Sequence, residues 1–575
     1  MVKYILSYSQ PNRHVLDIEM IISDNTAPNL KLCLPIWRPG RYEEGNFAKN
    51  IITFHVFDKK GNKLNFHKTN SSEWLVDTDM QGEIHVKYSF YCAKLDAGSC
   101  WLDEEQLYVN PIHCFLYVAG SENKPVKLEL HVPKDYKLAC ALKVEKGNVI
   151  KAPDYHTMVD SPFIASPTLK HSTYKSNGIT FHLWFQGEIK MDLDQIKRDF
   201  IAFTDEEIGM FGSFPAKDYH FFFQIMPMDF HHGVEHQAST VIAMGPSYEL
   251  MNKLYDDFLG ISSHEMFHAW NVKNFRPKEM TPYNYAERNF SKLGYVYEGI
   301  TTYYGNLVLL RSRVFDENRY FKTLNDRIQK HNHNYGRFNQ TVTDASYDTW
   351  LDGYVDGAPH RKTNIYTEGC VVALLLDLSI RMFTKDKHSL DDVMKRLYDG
   401  FGKSKNIGYS DSDFVKIVSD IAGCSFQNFF DAFVYGTQDT LPILEEVLSH
   451  IGCEISINQS KLYNESYLGF KLDADKTIPT LKIIAPNSPA EKAGLCKDDE
   501  IIGVNGWKIE NNFDALCNEN KNVGITLNIF SKNKLKTIFI KETMDQYYGR
   551  YSVIPMIKPT KQQVTSYIKW SKSSN

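Results

Sequence analysis

Over the first 170 or so residues, apolar and polar positions alternate with a period of two. Runs such as IITFHVF (51–57) and KLELHV (127–132) predict short, half-buried strands. Turn-forming clusters separate them, among them DKKGN (58–62) and NTAP (25–28). No sustained helical period intervenes, so an all-β, sandwich-like domain is expected over 1–170. Within it, Trp37, Arg38, Pro39, Gly40, Arg41 and Tyr42 form a loop of distinctive composition. Pro39 followed by Gly40 fits a structural turn, the preferred reading. A segment that reaches a substrate cleft is the other.

The pattern changes near residue 171. Three strand candidates come first: 179–185 (ITFHLWF), 219–225 (YHFFFQI) and 233–242 (GVEHQASTVI). From Tyr248 to about 450 a helical period dominates. Strands followed by helices predict an α+β domain over 171–454 whose C-terminal part is mostly helical. The run VVALLLDL (371–378) is too short to span a bilayer, and Asp377 interrupts it. A third unit is expected over 455–545. YLGF (467–470) opens a strand, and 483–495 gives a strand, a turn and a short helix ended by Gly494. DEIIGVNGW (499–507) runs from a strand into an Asn-Gly turn. Residues 546–575 remain as a C-terminal tail, frayed from Ser566 onward.

A chain of 575 residues exceeds one hydrophobic core, which agrees with several domains. Lys and Arg total 65 against 70 Asp and Glu, so no basic excess points to nucleic acid or an anionic membrane. The N-terminal apolar run is too short for a signal peptide. The ten cysteines are scattered, with no CxxC pair. Cys92 and Cys100 could bridge, but without a secretion signal reduced thiols are the expected state. The expected class is a cytoplasmic multidomain protein without membrane or nucleic-acid partners.

The candidate chemistry centres on His264, Glu265 and His268, in the order HExxH. Positions four apart share one helix face, so the two imidazoles can serve one metal ion. Glu265 sits beside them as a candidate general base for an activated water. A third ligand must come from elsewhere. EGITTYY (298–304) starts a second helix, and Glu298 in its first turn would complete a His-His-Glu site. His231, His232 and His236 lie close in sequence, but neighbours on a strand face opposite sides, and they are read as cleft or structural residues.

These stretches resemble the glycyl aminopeptidase family, metallopeptidase family sixty-one, whose catalytic domain is thermolysin-like and of the gluzincin type. The resemblance rests on HEMFHAWNVK (264–273) with Arg276 and Pro277, on EGITTYY (298–304), on GVEHQAS (233–239), and on WRPGRY (37–42) in the N-terminal domain. It implies one zinc per chain at His264, His268 and Glu298, with Glu265 as base. It also implies that Gly233 and Glu235 form the strand motif in which the glutamate binds the substrate's free amino group, a charge-assisted contact. NIYTEGC (364–370) resembles the family's tyrosine-x-lysine-glycine segment. Tyr366 would donate to the oxyanion, although Glu368 stands where lysine is usual.

The third unit resembles a PDZ domain. Tyr467, Leu468, Gly469 and Phe470 occupy the loop that holds a peptide carboxylate, so a peptide C-terminus is a possible partner. The expected function is a zinc aminopeptidase that removes small N-terminal residues, Gly or Ala, from peptides with a free N-terminus. A zinc endopeptidase of the same fold, in which Glu235 binds no amine, is one alternative. A catalytically lapsed PDZ scaffold is the other.

Overall fold

A computed structural model describes residues 2–79, 82–402, 405, 407–519, 523–543 and 545–573. The chain forms two compact units. One comprises 1–317, 346–355 and 388–426; the other comprises 318–345, 356–387 and 427–575.

The first unit begins with the expected β-rich domain. Its largest sheet has seven strands, with Val2–Ser7 and Val15–Ile22 at the centre. Alternation drives the folding of these strands. Tyr4 and Leu6 from one, and Leu16, Ile18, Met20 and Ile22 from the other, are buried on one face. Two four-stranded sheets complete the domain, and Phe163–Ser166 is its last strand.

The α+β part follows on a five-stranded sheet. β1 (Lys170–Ser176) and β2 (Ile179–Gln186) form a hairpin through Asn177 and Gly178, whose φ angles of 48° and 80° suit a primed two-residue turn. α1 (Leu193–Phe211) is capped by the Asp192 carboxylate at its start and by Gly212 at its end. β3 (Asp218–Ile225) runs parallel to β2. β4 (Phe230–Glu235) and β5 (Ser239–Gly245) complete the order β1-β2-β3-β5-β4, which leaves β4 at the edge.

Two sequence expectations need correction here. Residues 233–242 are not one strand: a turn closed by His236 N–H donating to Ser239 O folds them into the antiparallel β4–β5 pair. α1 was missed altogether. Its apolar stripe of Ile196, Phe200, Phe203, Ile208 and Phe211 is interrupted by Glu207, which is itself fully buried and accepts a hydrogen bond from Ser263 Oγ at 2.9 Å.

α2 (Tyr255–Phe267) carries the HExxH sequence, with His268 as its C-cap. A π-helical turn at Tyr295–Ile300 leads directly into α3 (Thr301–Arg311). Gly305 lets α3 approach α2 closely, since a Cβ there would lie 3.1 Å from His264 Cβ. Phe267 stacks on Tyr304 at 5.0 Å across the same interface.

The second unit contains the apolar helix Thr367–Thr384 and the expected PDZ-like domain. The PDZ core gathers Leu468, Phe470, Leu481, Ile501, Val504, Phe513 and Leu527. The expected turn is present, with Asn505 and Gly506 both at positive φ. The C-terminal segment is not a frayed tail. Arg550–Pro555 pairs with Cys453–Asn458, and Lys561–Ser571 is a capped helix whose Trp570 is fully buried against Tyr320. Ser574 and Asn575 lie outside the described residues. All ten cysteines carry free thiols, Cys92 and Cys100 included. Among the described residues no helix is long and apolar enough to cross a membrane.

Candidate active site

α2 and the π-helical turn that leads into α3 bring three candidate ligands together. His264 Nε2 lies 3.1 Å from His268 Nε2. Glu298 Oε2 lies 3.3 Å from His268 Nε2 and 3.8 Å from His264 Nε2. His268 Nδ1 is 2.8 Å from the Asn271 carbonyl oxygen, to which it donates, so Nε2 is the nitrogen turned towards the other two ligands. Burial alone pulls His268 down, yet the Glu298 carboxylate beside it pushes it up to about 10. The pocket therefore calls for positive charge, and two imidazoles with one carboxylate are a donor set suited to a divalent zinc.

Asn271 links the two ligand-bearing helices. Its carbonyl holds His268, while its side-chain amide donates to Val296 O at 2.9 Å and to Thr301 Oγ1 at 3.0 Å. One residue thereby fixes His268 against the helical segment that carries Glu298. Sequence reasoning passed over it, although it stands three residues after His268.

The carboxylates of Glu265 and Glu235 line the same space. They and His268 offer ligand atoms that all lie within 4.8 Å of one another. Glu265 Oε1 packs on Gly233, where a Cβ would fall 2.1 Å away. Glu265 Oε2 and Glu235 Oε1 are buried and have no hydrogen-bond partner among the described residues. Burial, reinforced by Glu235 and Glu298, pushes the Glu265 carboxyl well above its ordinary value against the opposing effect of His268. Alternation along β4 sets this arrangement: Gly233 and Glu235 face the ligands, while Val234 packs into an apolar cluster with Tyr108, Phe222 and Val241.

Two of the histidines near β4, His232 and His236, are held by contacts to the N-terminal domain. His232 Nε2 lies 3.4 Å from Arg38 Nη2, and burial together with that guanidinium lowers the imidazole to about 3. His236 Nδ1 is 3.1 Å from Asp160 Oδ1, which also receives Lys273 Nζ at 2.7 Å. Gln237 N–H donates to Asp160 Oδ2 at 2.8 Å. Asp160 thus ties the end of the N-terminal domain to β4 and to the loop after α2, a link invisible in the sequence.

His182, Asp218 and His220 form another group with metal-ligand spacing on β2 and β3. Trp184 Nε1–H donates to His220 Nδ1 at 3.1 Å. Burial, with His182 and His171 nearby, lowers His220 to about 3, so the ring is neutral and its single proton sits on Nε2. That nitrogen then has no lone pair to offer, and no metal is assigned there.

Tyr366 belongs to the second unit, at the N-cap of Thr367–Thr384. Its role rests on its sequence motif alone. Glu368, the departure from the motif, has a local reason: His331 Nδ1 lies 2.9 Å from its carboxylate, and Thr363 Oγ1 donates to it at 3.1 Å. In the PDZ loop, Gly469 N–H donates to Asn464 O at 2.8 Å. A peptide carboxylate at Tyr467, Leu468, Gly469 and Phe470 would have to displace that bond.

Fold and site together define a zinc metallopeptidase with an HExxH helix and a following glutamate helix. The Peptidase M61 N-terminal domain matches residues 3–167, M61 glycyl aminopeptidase matches 257–372, and a PDZ domain matches 456–529. The chain thus resembles the M61 peptidases over these two regions, with a match to a PDZ domain towards its C-terminal end. The crystal structure of an aminopeptidase N family protein from Idiomarina loihiensis shares the fold, with a TM-score of 0.90 at 24% identity, over 99% of this chain and 100% of that one. A Deinococcus radiodurans M1 zinc metallopeptidase mutant bound to a Tyr-Ser-Ala substrate aligns with a TM-score of 0.45 at 12% identity, over 74% of this chain and 90% of that one. No curated protein matches the chain.

Proposed function

We propose that the protein is a zinc aminopeptidase that removes a small N-terminal residue, Gly or Ala, from peptides with a free amino group. One zinc per chain, held by His264, His268 and Glu298, would supply Lewis-acid activation of the attacking water and the scissile carbonyl. Glu265 takes the proton from the attacking water and passes it to the leaving amine, a role suited to a buried carboxylate whose Oε2 has no partner among the described residues. Glu235 receives the substrate ammonium. Gly233 gives Glu265 the room to lie against β4.

The observation that carries this reading is the buried Glu235 Oε1. It lacks a partner among the described residues, and its carboxylate lies within 4.8 Å of ligand atoms on both Glu265 and His268. A buried carboxylate oxygen is costly unless something pairs with it. A substrate ammonium at that position would place the first peptide bond beside the candidate metal ligands.

The test compares a glycyl or alanyl reporter with its N-acetylated twin. Wild type should cleave only the free amine. Glu235→Ala should lose roughly 2–4 kcal/mol in kcat/KM on that substrate. Equal cleavage of the acetylated twin at the same bond would replace this reading with an endopeptidase.

A further inference from the structure

We infer that the N-terminal domain holds a ligand site of its own, a cavity in which the guanidinium of Arg38 binds a carboxylate, carried by a small organic acid or by a peptide end.

The cavity measures about 320 Å³, and its lining residues all belong to the first unit. Three carboxylates line it, and each already has a partner. Glu43 pairs with Arg41, Asp96 with Lys94 at 2.9 Å, and Glu44 with Arg288 at 2.7 Å. Two lining cations are left without a counter-ion among the described residues, Arg38 and the exposed Lys49. The wall therefore has positive charge to spare.

Arg38 is the deeper of the two, at 5% exposure. Its guanidinium makes two hydrogen bonds among the described residues. Nη1 donates to Pro39 O at 3.2 Å, and Nη2 donates to His232 Nε2 at 3.4 Å. Both acceptors are uncharged, since His232 is a neutral imidazole. A buried charge with no counter-ion is costly, and a carboxylate matches the planar fork of a guanidinium through two parallel hydrogen bonds. Gly98 makes room for the group, because a Cβ there would fall 2.3 Å from Arg38 Nη2.

His113 supplies a second polar group. It lines the same cavity, is 8% exposed and stacks on Phe47 at 4.0 Å. Its Nε2 is buried with no hydrogen-bond partner among the described residues. Burial lowers the imidazole to about 4, so near neutral pH the ring is uncharged and keeps one N–H to donate. Phe47 and Phe90 give the wall apolar area for the body of the ligand. None of the lining residues is a candidate zinc ligand, and neither Glu235 nor Glu265 is among them.

The test titrates the zinc-loaded full chain by calorimetry with N-acetylglycine and with N-acetylglycinamide, which lacks the charge. The acid should bind at one saturable site and the amide should not. Arg38→Gln should weaken the acid about thirtyfold or more. Lys49→Gln, at an exposed position, should weaken it about two- to fivefold. His113→Phe keeps the stack on Phe47, removes the donor and should cost about fivefold. If Arg38→Gln fails to fold, the other two variants carry the test. An N-acetylated pentapeptide acid then separates the two sources. Equal affinity for it supports a peptide end, and binding of N-acetylglycine alone supports a free small acid. Acid binding that persists unchanged in the variants belongs to the zinc cleft and overturns the inference. Equal binding of the amide, or no binding of either, overturns it as well. None of these outcomes depends on the aminopeptidase reading.

Discussion

Glu265 Oε1 rests on the α-carbon of Gly233, at a place where any Cβ would stand 2.1 Å from it. The glycine is required by this contact and not by its backbone angle, since Gly233 is absent from the positive-φ glycines. Gly233→Ala should push the Glu265 carboxylate out of line and leave the three candidate metal ligands in place. A displacement of about 1 Å costs on the order of 100-fold in rate. We expect full zinc content by elemental analysis and a comparable fall in kcat. Unchanged turnover would mean that Glu265 is not the base.

The Asp160 contact predicts a pH-dependent stability. Lys273 and His236 both face this carboxylate. Burial alone would raise it, but the Lys273 ammonium and the His236 ring hold it well below the usual carboxylate range. A depressed pKa stabilises the fold above the unfolded value, and that contribution is lost as pH falls through the folded value. Asp160→Asn also leaves Lys273, which is 2% exposed, buried without its counter-ion, at a cost of about 3 kcal/mol or more. The difference in Tm between wild type and variant should be full near neutral pH and shrink below about pH 4. A pH-independent difference would show that the ion pair is not its source.

The C-terminal helix predicts that the region after 455 does not behave as a detachable module. Trp570 packs against Tyr320, and Gly549 O accepts from Gln329 Nε2 at 2.8 Å. Val553 N–H donates to Asn325 Oδ1 at 2.7 Å. Trp570→Ala should cost about 3–5 kcal/mol in denaturant unfolding. Truncation at 455 should give an aggregating or strongly destabilised protein. A truncated chain with wild-type Tm would show instead that the region after 455 is an independent domain.

Much of the fold could be read from local pattern. Period-two runs marked the β-rich domain, and Asn505 with Gly506 marked a primed turn, because backbone sterics leave those residues few alternatives. HExxH was legible for the same reason: a four-residue spacing fixes two imidazoles on one face of any helix. Local pattern failed where burial cut across it. Glu207 interrupts the apolar stripe of α1, and Trp570 lies in a polar-looking segment that is helical because one face packs on the second unit.

What only the tertiary structure decided are the contacts between segments far apart in the chain. Gly40 lies on Glu235, Asp160 joins His236 and Lys273, and Asn271 bonds across to Val296 and Thr301. No periodicity encodes such pairs. Each depends on where a sheet edge, a helix end and a loop converge, and that is set by packing of the whole unit. The sequence by itself determined which side chains could do chemistry; the fold decided which of them face one another.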